Sequence, residues 1–202
     1  MSSRGRKKPS LQSLSRLPMN LETYFNELKG ESDRACALIA GAAVSDGLCD
    51  VLKHYFVKLD EVDINHLFYD QHASLSDFAS RTDIAFALGL ISPQQRIAAN
   101  VIRKIRNQFA HTLAQIDFSN ELIISELSKV SATNSLGHAT PKDVFIGITM
   151  TLYLALLNCS NYIMTRHFSG LGAIPVPIYH LAKQYSIKGG GNALAQLVAP
   201  SE

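Results

Sequence analysis

The chain has 202 residues, 47% hydrophobic and 18% charged, with a formal net charge of +2. This length suits one domain with tails, and the composition excludes a wholly disordered chain. The near-balanced charge excludes a molecule drawn to nucleic acid by its overall field.

Residues 1–18 are rich in Ser, Arg and Lys, and Arg4, Arg6, Lys7 and Lys8 carry much of the basic excess. They are expected to form a flexible basic arm. Asn20 can cap a short helix through Leu28, which Gly30 stops. A cap at Glu31–Ser32–Asp33 opens a second helix to about Leu59, with Ala35, Leu38, Ala42, Cys49, Leu52, Phe56 and Leu59 as its buried stripe. Asp46 interrupts that stripe: it is either a buried acid that needs a cation or a half-exposed carboxylate at the stripe's edge. A turn of helix is expected at 63–67. A helix from Ser76 to about Leu90 follows, with Phe78, Ile84, Ala85 and Leu88 inward and Arg81 among them as a candidate partner for Asp46.

Ser92–Pro93 supplies a cap and an N1 proline for a helix to about Leu113, whose apolar face is Ala98, Val101, Ile102, Ile105, Phe109 and Leu113. Residues 121–129 read as helix and 131–141 as loop. A long apolar helix then runs from Pro141 to near Phe168. Its run Val144–Leu157 is uncharged for 14 residues, whereas crossing a bilayer takes roughly 20. A buried core helix and no membrane are therefore expected. Gly189, Gly190 and Gly191 mark a loose tail over 186–202. No strand pattern and no repeat appear. The expected fold is all-α, a single-domain bundle of six to seven helices over 19–185 without a helix-turn-helix.

The cysteines Cys36, Cys49 and Cys159 have no CxxC or His/Cys spacing, so free thiols, a cytoplasmic setting, and no metal or cofactor are expected. The basic start has no apolar run behind it, unlike a secretory signal.

The string Arg103-Lys-Ile-Arg106-Asn107-Gln-Phe-Ala-His111 is the most unusual. At 100° per residue, Arg103, Arg106, Asn107, Ala110 and His111 sweep an arc of roughly 140° beside the apolar face. A fixed cation, an amide and a group that exchanges protons near neutral pH can hold a phosphate and move a proton beside it. The same residues on a helix flank also serve as salt bridges and caps.

Arg106-Asn107-x-x-x-His111 resembles the Arg-polar-x-x-x-His motif of the HEPN superfamily, small helical bundles that often dimerise and whose ribonuclease members cut RNA without metal. Three ordered blocks resemble the mannitol operon repressor family over about residues 20–120: Glu31-Ser-Asp33-Arg34-Ala-Cys-Ala-Leu38, Phe78-Ala-Ser-Arg81 through Ile91, and Ile102-Arg103 through His111. The arm and the residues after 130 match less well. This resemblance implies an all-helical transcriptional regulator working through other regulatory proteins rather than by reading bases. It also implies a polar cluster of Glu31, Asp33, Arg34, Arg81, Arg103, Arg106, Asn107 and His111 from neighbouring helices, serving as a ligand or partner site or as a network that locks them together. The superfamily motif implies an alternative, a metal-independent endoribonuclease with His111 as general acid/base, Arg106 steadying phosphorane charge and Asn107 orienting RNA. A homodimer suits a small bundle with an apolar surface, and the arm offers salt-sensitive affinity for nucleic acid.

Overall fold

A computed structural model describes residues 21–56, 59–112, 115–130 and 139–168, without the side chains of 21, 22, 25 and 166–168. The expected arm, tail and bundle limits lie outside them, as do Leu113 and most of the 131–141 loop. The described residues form seven helices and no strand, packed as one body: α1 (Leu21–Gly30), α2 (Asp33–Tyr55), α3 (Glu61–Phe68), α4 (Phe78–Ala87), α5 (Pro93–His111), α6 (Glu121–Leu127) and α7 (Pro141–Phe168).

The starts follow from capping chemistry. Each helix leaves its first amides without intrahelical acceptors, and a short polar side chain supplies one. Ser32 accepts from the Ala35 amide at α2, Asp77 from Ala79 and Ser80 at α4, and Asn120 from Leu122 at α6. Asp60 with Asp63 and Ser92 with Gln95 form reciprocal capping boxes at α3 and α5. Gly89, at φ 69°, takes the left-handed conformation that ends α4 and turns the chain into α5.

Cross-helix pairs give the helix directions. Arg34 meets Thr112 and Gly41 meets Arg106, so α5 runs antiparallel to α2. Asp33 meets Lys142, Gly47 packs on Tyr153 and Leu156, and His54 Nδ1 lies 2.5 Å from Ser160 Oγ, so α7 runs parallel to α2. The contact of α2 with α7 is the most extensive in the bundle. Both helices are long and apolar enough to cross a membrane by length and composition. Half or slightly more of each one's most apolar stretch is buried in the bundle, as in core helices. The rings of Phe109 on α5, Phe118 and Phe145 on α7 meet in series at tilted angles, with centroids 5.0 and 5.1 Å apart.

The face of α2 differs from expectation. Cys49 and Leu52 are buried, but Ala35 and Leu38 are half-buried, Ala42 is exposed, and the helix stops at Tyr55, so Leu59 lies beyond it. Because α2 is covered by α7 on one side and by α4 and α5 on another, its buried arc is wide and includes Cys36, Ala40, Gly41, Val44, Gly47, Leu48 and Val51. Small residues occur all round it, so one stripe could not be singled out. Asp46 is exposed because the positions it shares with Ile39 and Ala42 face outward. On α4, Ile84 is 38% exposed rather than inward, while Ala85 is buried as expected. On α5, Ala98, Val101, Ile102, Ile105 and Phe109 are all buried.

Candidate functional site

The three blocks meet along one side of α2. Positions 34, 41 and 45 fall within a narrow arc of an α-helix, and each is met by a residue of another block or its immediate sequel. At the first level, an Arg34 guanidinium nitrogen donates to the Thr112 carbonyl at 2.8 Å, just past the end of α5. One turn or two further, the methylenes of Arg106 lie against Gly41, where a Cβ would come within 2.8 Å of Arg106 Cγ. At the third level Arg81, only 7% exposed, donates from Nε to the Leu75 carbonyl at 2.8 Å. Its Nη1 donates to Ser45 Oγ at 3.0 Å and to the Ser45 carbonyl at 3.3 Å.

Arg81 therefore satisfies its charge with carbonyl and hydroxyl oxygens. The expected pairing with Asp46 is not formed, because Asp46 points to solvent from a different side of α2. A planar guanidinium with several donors can bridge two chain segments at once, which a carboxylate partner would not require.

Around the start of α2, Asp33 gathers two distant segments. One carboxylate oxygen accepts from the Phe118 amide at 3.0 Å and the other lies 3.3 Å from Lys142 Nζ. Lys142 also donates to the Glu31 carbonyl, while the Glu31 residue itself is exposed. Lys142 was not expected in this cluster. It sits at the opening of a helix far along the chain, and only the parallel packing of α7 on α2 brings it here. An ion pair one turn away, between Lys29 and Asp143 at 2.9 Å, ties α1 to the same end.

Arg103, Arg106, Asn107 and His111 lie along α5 beside its buried face, Arg103 and Asn107 half-buried. Arg103 Nη2 donates to Asn100 Oδ1 at 3.3 Å, and its buried Nε has no hydrogen-bond partner among the described residues. Arg106 Nη1 donates to Asn107 Oδ1 at 3.0 Å; Arg106 and His111 are both exposed. The expected cluster is thus resolved into levels. Glu31, Asp33 and Arg34 share one end with the C-terminal end of α5. Arg81 of α4 meets α2 at Ser45, eleven residues beyond Arg34 and about 16 Å down the axis, too far to touch the same small ligand as Arg34.

The arm residues Arg4, Arg6, Lys7 and Lys8 lie outside the described residues. Among the described residues, no group of three or more His, Cys, Asp or Glu side chains is arranged to hold a metal ion. The three thiols are buried and free, and burial pushes Cys36 up to about 11 and Cys159 up to about 12. Comparison of the chain with family models, curated proteins and solved structures finds no match.

Proposed function

We propose that this chain is a cytoplasmic transcriptional regulator of the mannitol operon repressor type that acts through a protein partner. The supporting observation is how the resembling blocks use their most polar side chains. Arg34 and Arg81 are committed to backbone carbonyls that join α2 to the end of α5 and to the residues before α4. Side chains spent on holding helices in register give the bundle a rigid surface of the kind a protein partner can dock on. The experiment is deletion of the gene in its host, with sugar-transport transcripts measured beside gel-shifts of their promoters by the full-length purified chain. Transcripts should rise on deletion, and the chain alone should not shift the DNA. Unchanged transcripts would sink the regulator, and tight sequence-specific shifting would sink the partner-dependent version.

The exposure of Arg106 and His111 at the end of α5 keeps a second reading, the metal-independent endoribonuclease. His111 would shuttle the proton and Arg106 would steady charge on phosphorus. Wild type and His111→Ala incubated with total RNA separate the two functions. Cleavage by the wild type that the variant loses establishes the nuclease; intact RNA in both removes it.

A further inference from the structure

Residues 60–74, between α2 and α4, are held to the bundle at few points. Of the eight residues of α3 only Phe68 is buried, with Ile64 and Leu67 partly so. Unlike the other helices, α3 makes no extensive contact with any other element. The turn after it holds His72 at φ 66°, a left-handed conformation that is costly for a residue with a Cβ. Both ends of the segment are fixed. Before it, the Phe56 amide donates to the Leu52 carbonyl at 2.9 Å and closes α2. After it, Leu75 is buried and its carbonyl accepts from Arg81.

One cation fastens this segment to α2. Lys53 Nζ donates to the Tyr69 hydroxyl, and it lies 4.7 Å from the centre of the Tyr69 ring and 5.8 Å from that of Phe68. A cation within about 6 Å of an aromatic ring is attracted to its face, so Lys53 grips both rings at the end of α3. Cys49 stands one turn before Lys53 and is only 4% exposed, with its Sγ 4.0 Å from Tyr69 Oη. Tyr69 itself is 57% exposed, so a single surface side chain reaches this thiol from outside.

We infer that residues 60–74 form a flap that opens from α2 as a unit while the other helices stay packed, with Lys53 as its latch and Cys49 as the thiol it covers. Local opening costs only the contacts it breaks. Here these are one deeply buried ring with its partly buried neighbours, the contacts of Lys53, and the hydrogen bond from the Leu75 amide to the Leu67 carbonyl. The strain at His72 is released in return. Opening admits thiol-reactive electrophiles to Cys49 alone, because Cys36 is fully buried elsewhere on α2 and Cys159 lies beneath α7 against the Leu90 carbonyl. The flap does not depend on what the protein regulates, so the two ideas stand or fall separately.

Hydrogen exchange of the full chain, followed by mass spectrometry on its peptides, tests the opening. In wild type, the amides of 64–69 should exchange together, at least about tenfold faster than those of α5 and α7. Lys53→Met removes the latch and should speed exchange over 64–69 at least about threefold while α5 and α7 keep their rates. Iodoacetamide gives a second reading. It should label Cys49 of the native protein at least about tenfold faster than Cys36 or Cys159, and Tyr69→Ala should raise the rate at Cys49 only. Far-UV circular dichroism checks that each variant is folded. Residues 64–69 as protected as α5 in wild type would overturn the inference. So would a Lys53→Met variant that exchanges faster in every helix alike, or a Cys49 that labels as slowly as Cys36.

Discussion

Two glycines show how differently one residue type can serve. At Gly41 an added methyl would meet Arg106 Cγ at 2.8 Å and Cβ at 3.0 Å, atoms near the root of the arginine that cannot swing aside without moving α5. At Gly147, inside α7, nothing lies within 4 Å. Alanine is favoured over glycine in a helix by about 1 kcal/mol, whereas forcing packed helices apart costs roughly 1–3 kcal/mol. Gly147→Ala is therefore expected to raise the urea midpoint and Gly41→Ala to lower it. A Gly41→Ala variant as stable as wild type would show that α2 and α5 are not held at this spacing. Arg81 is the other residue fixed by its surroundings, because its buried guanidinium donates at once to the Leu75 carbonyl and to the hydroxyl and carbonyl of Ser45.

The thiols respond to the same enclosure. Cys36 is fully buried, and Cys159 Sγ donates to the Leu90 carbonyl at 3.6 Å beneath α7. With pKa values near 11 and 12, their thiolate fraction at neutral pH is on the order of 10⁻⁴ or less. Native protein mixed with an alkylating reagent should keep both unmodified for hours, and all three cysteines should react in denaturant. Peptide mapping by mass spectrometry distinguishes the sites; rapid native labelling of Cys159 would mean that α7 lifts readily from the turn before α5.

For whole elements, the helix starts answer to acid. Hydrogen bonds from the Ser80 hydroxyl and amide, with the Ala79 amide and the Arg103 charge, hold Asp77 below its ordinary value. The Thr140 hydroxyl and Lys29 do the same for Asp143. A carboxylate whose pKa is depressed on folding stabilises the fold above its unfolded pKa, and that contribution disappears as pH falls through the folded pKa. The acid-induced loss from these two groups is therefore expected below about pH 4. Asp77→Asn keeps a capping side chain but removes its titration, so the fall in urea midpoint between pH 7 and pH 3 should be smaller than in wild type. An equal fall would show that Asp77 is not linked to folding.

Element positions were legible in the sequence where a cap headed a clear apolar pattern, and less so at α3, which the Asp60–Asp63 capping box opens at Glu61 rather than at 63. Ser32 and Ser92 with Pro93 place α2 and α5 nearly to the residue. The face of α5 was legible because most of its Ala, Val, Ile and Phe lie on one side, Ile97 and Ala110 being the exposed exceptions. The face of α2 was not. Alanine, glycine and cysteine fit wherever neighbours come close, and α2 has neighbours on two sides, so periodicity could not tell its inward alanines from Ala42. The candidate site was legible to the same degree. Arg34 and Asp33 stood out by their place in a helix start, and Arg81 by being a charge among apolar positions. Their partners were not, since the Thr112 carbonyl, the Phe118 amide and Ser45 belong to segments brought near only by tertiary packing, and backbone groups leave no mark in a sequence.

At the scale of the molecule, the bundle is organised around α2 and α7, which point the same way. Helices so aligned cannot be joined by a hairpin, and here all of residues 56–140 separate them. On the ribosome, α2 therefore leaves the exit tunnel long before its main cover has been translated. Through that interval its alanine-, valine- and leucine-rich surface is sheltered chiefly by α1, α4 and α5, and the final closure waits on the arrival of α7. A chain cut short before residue 141 would carry that unsheltered surface permanently, a natural target for the cell's chaperones and proteases.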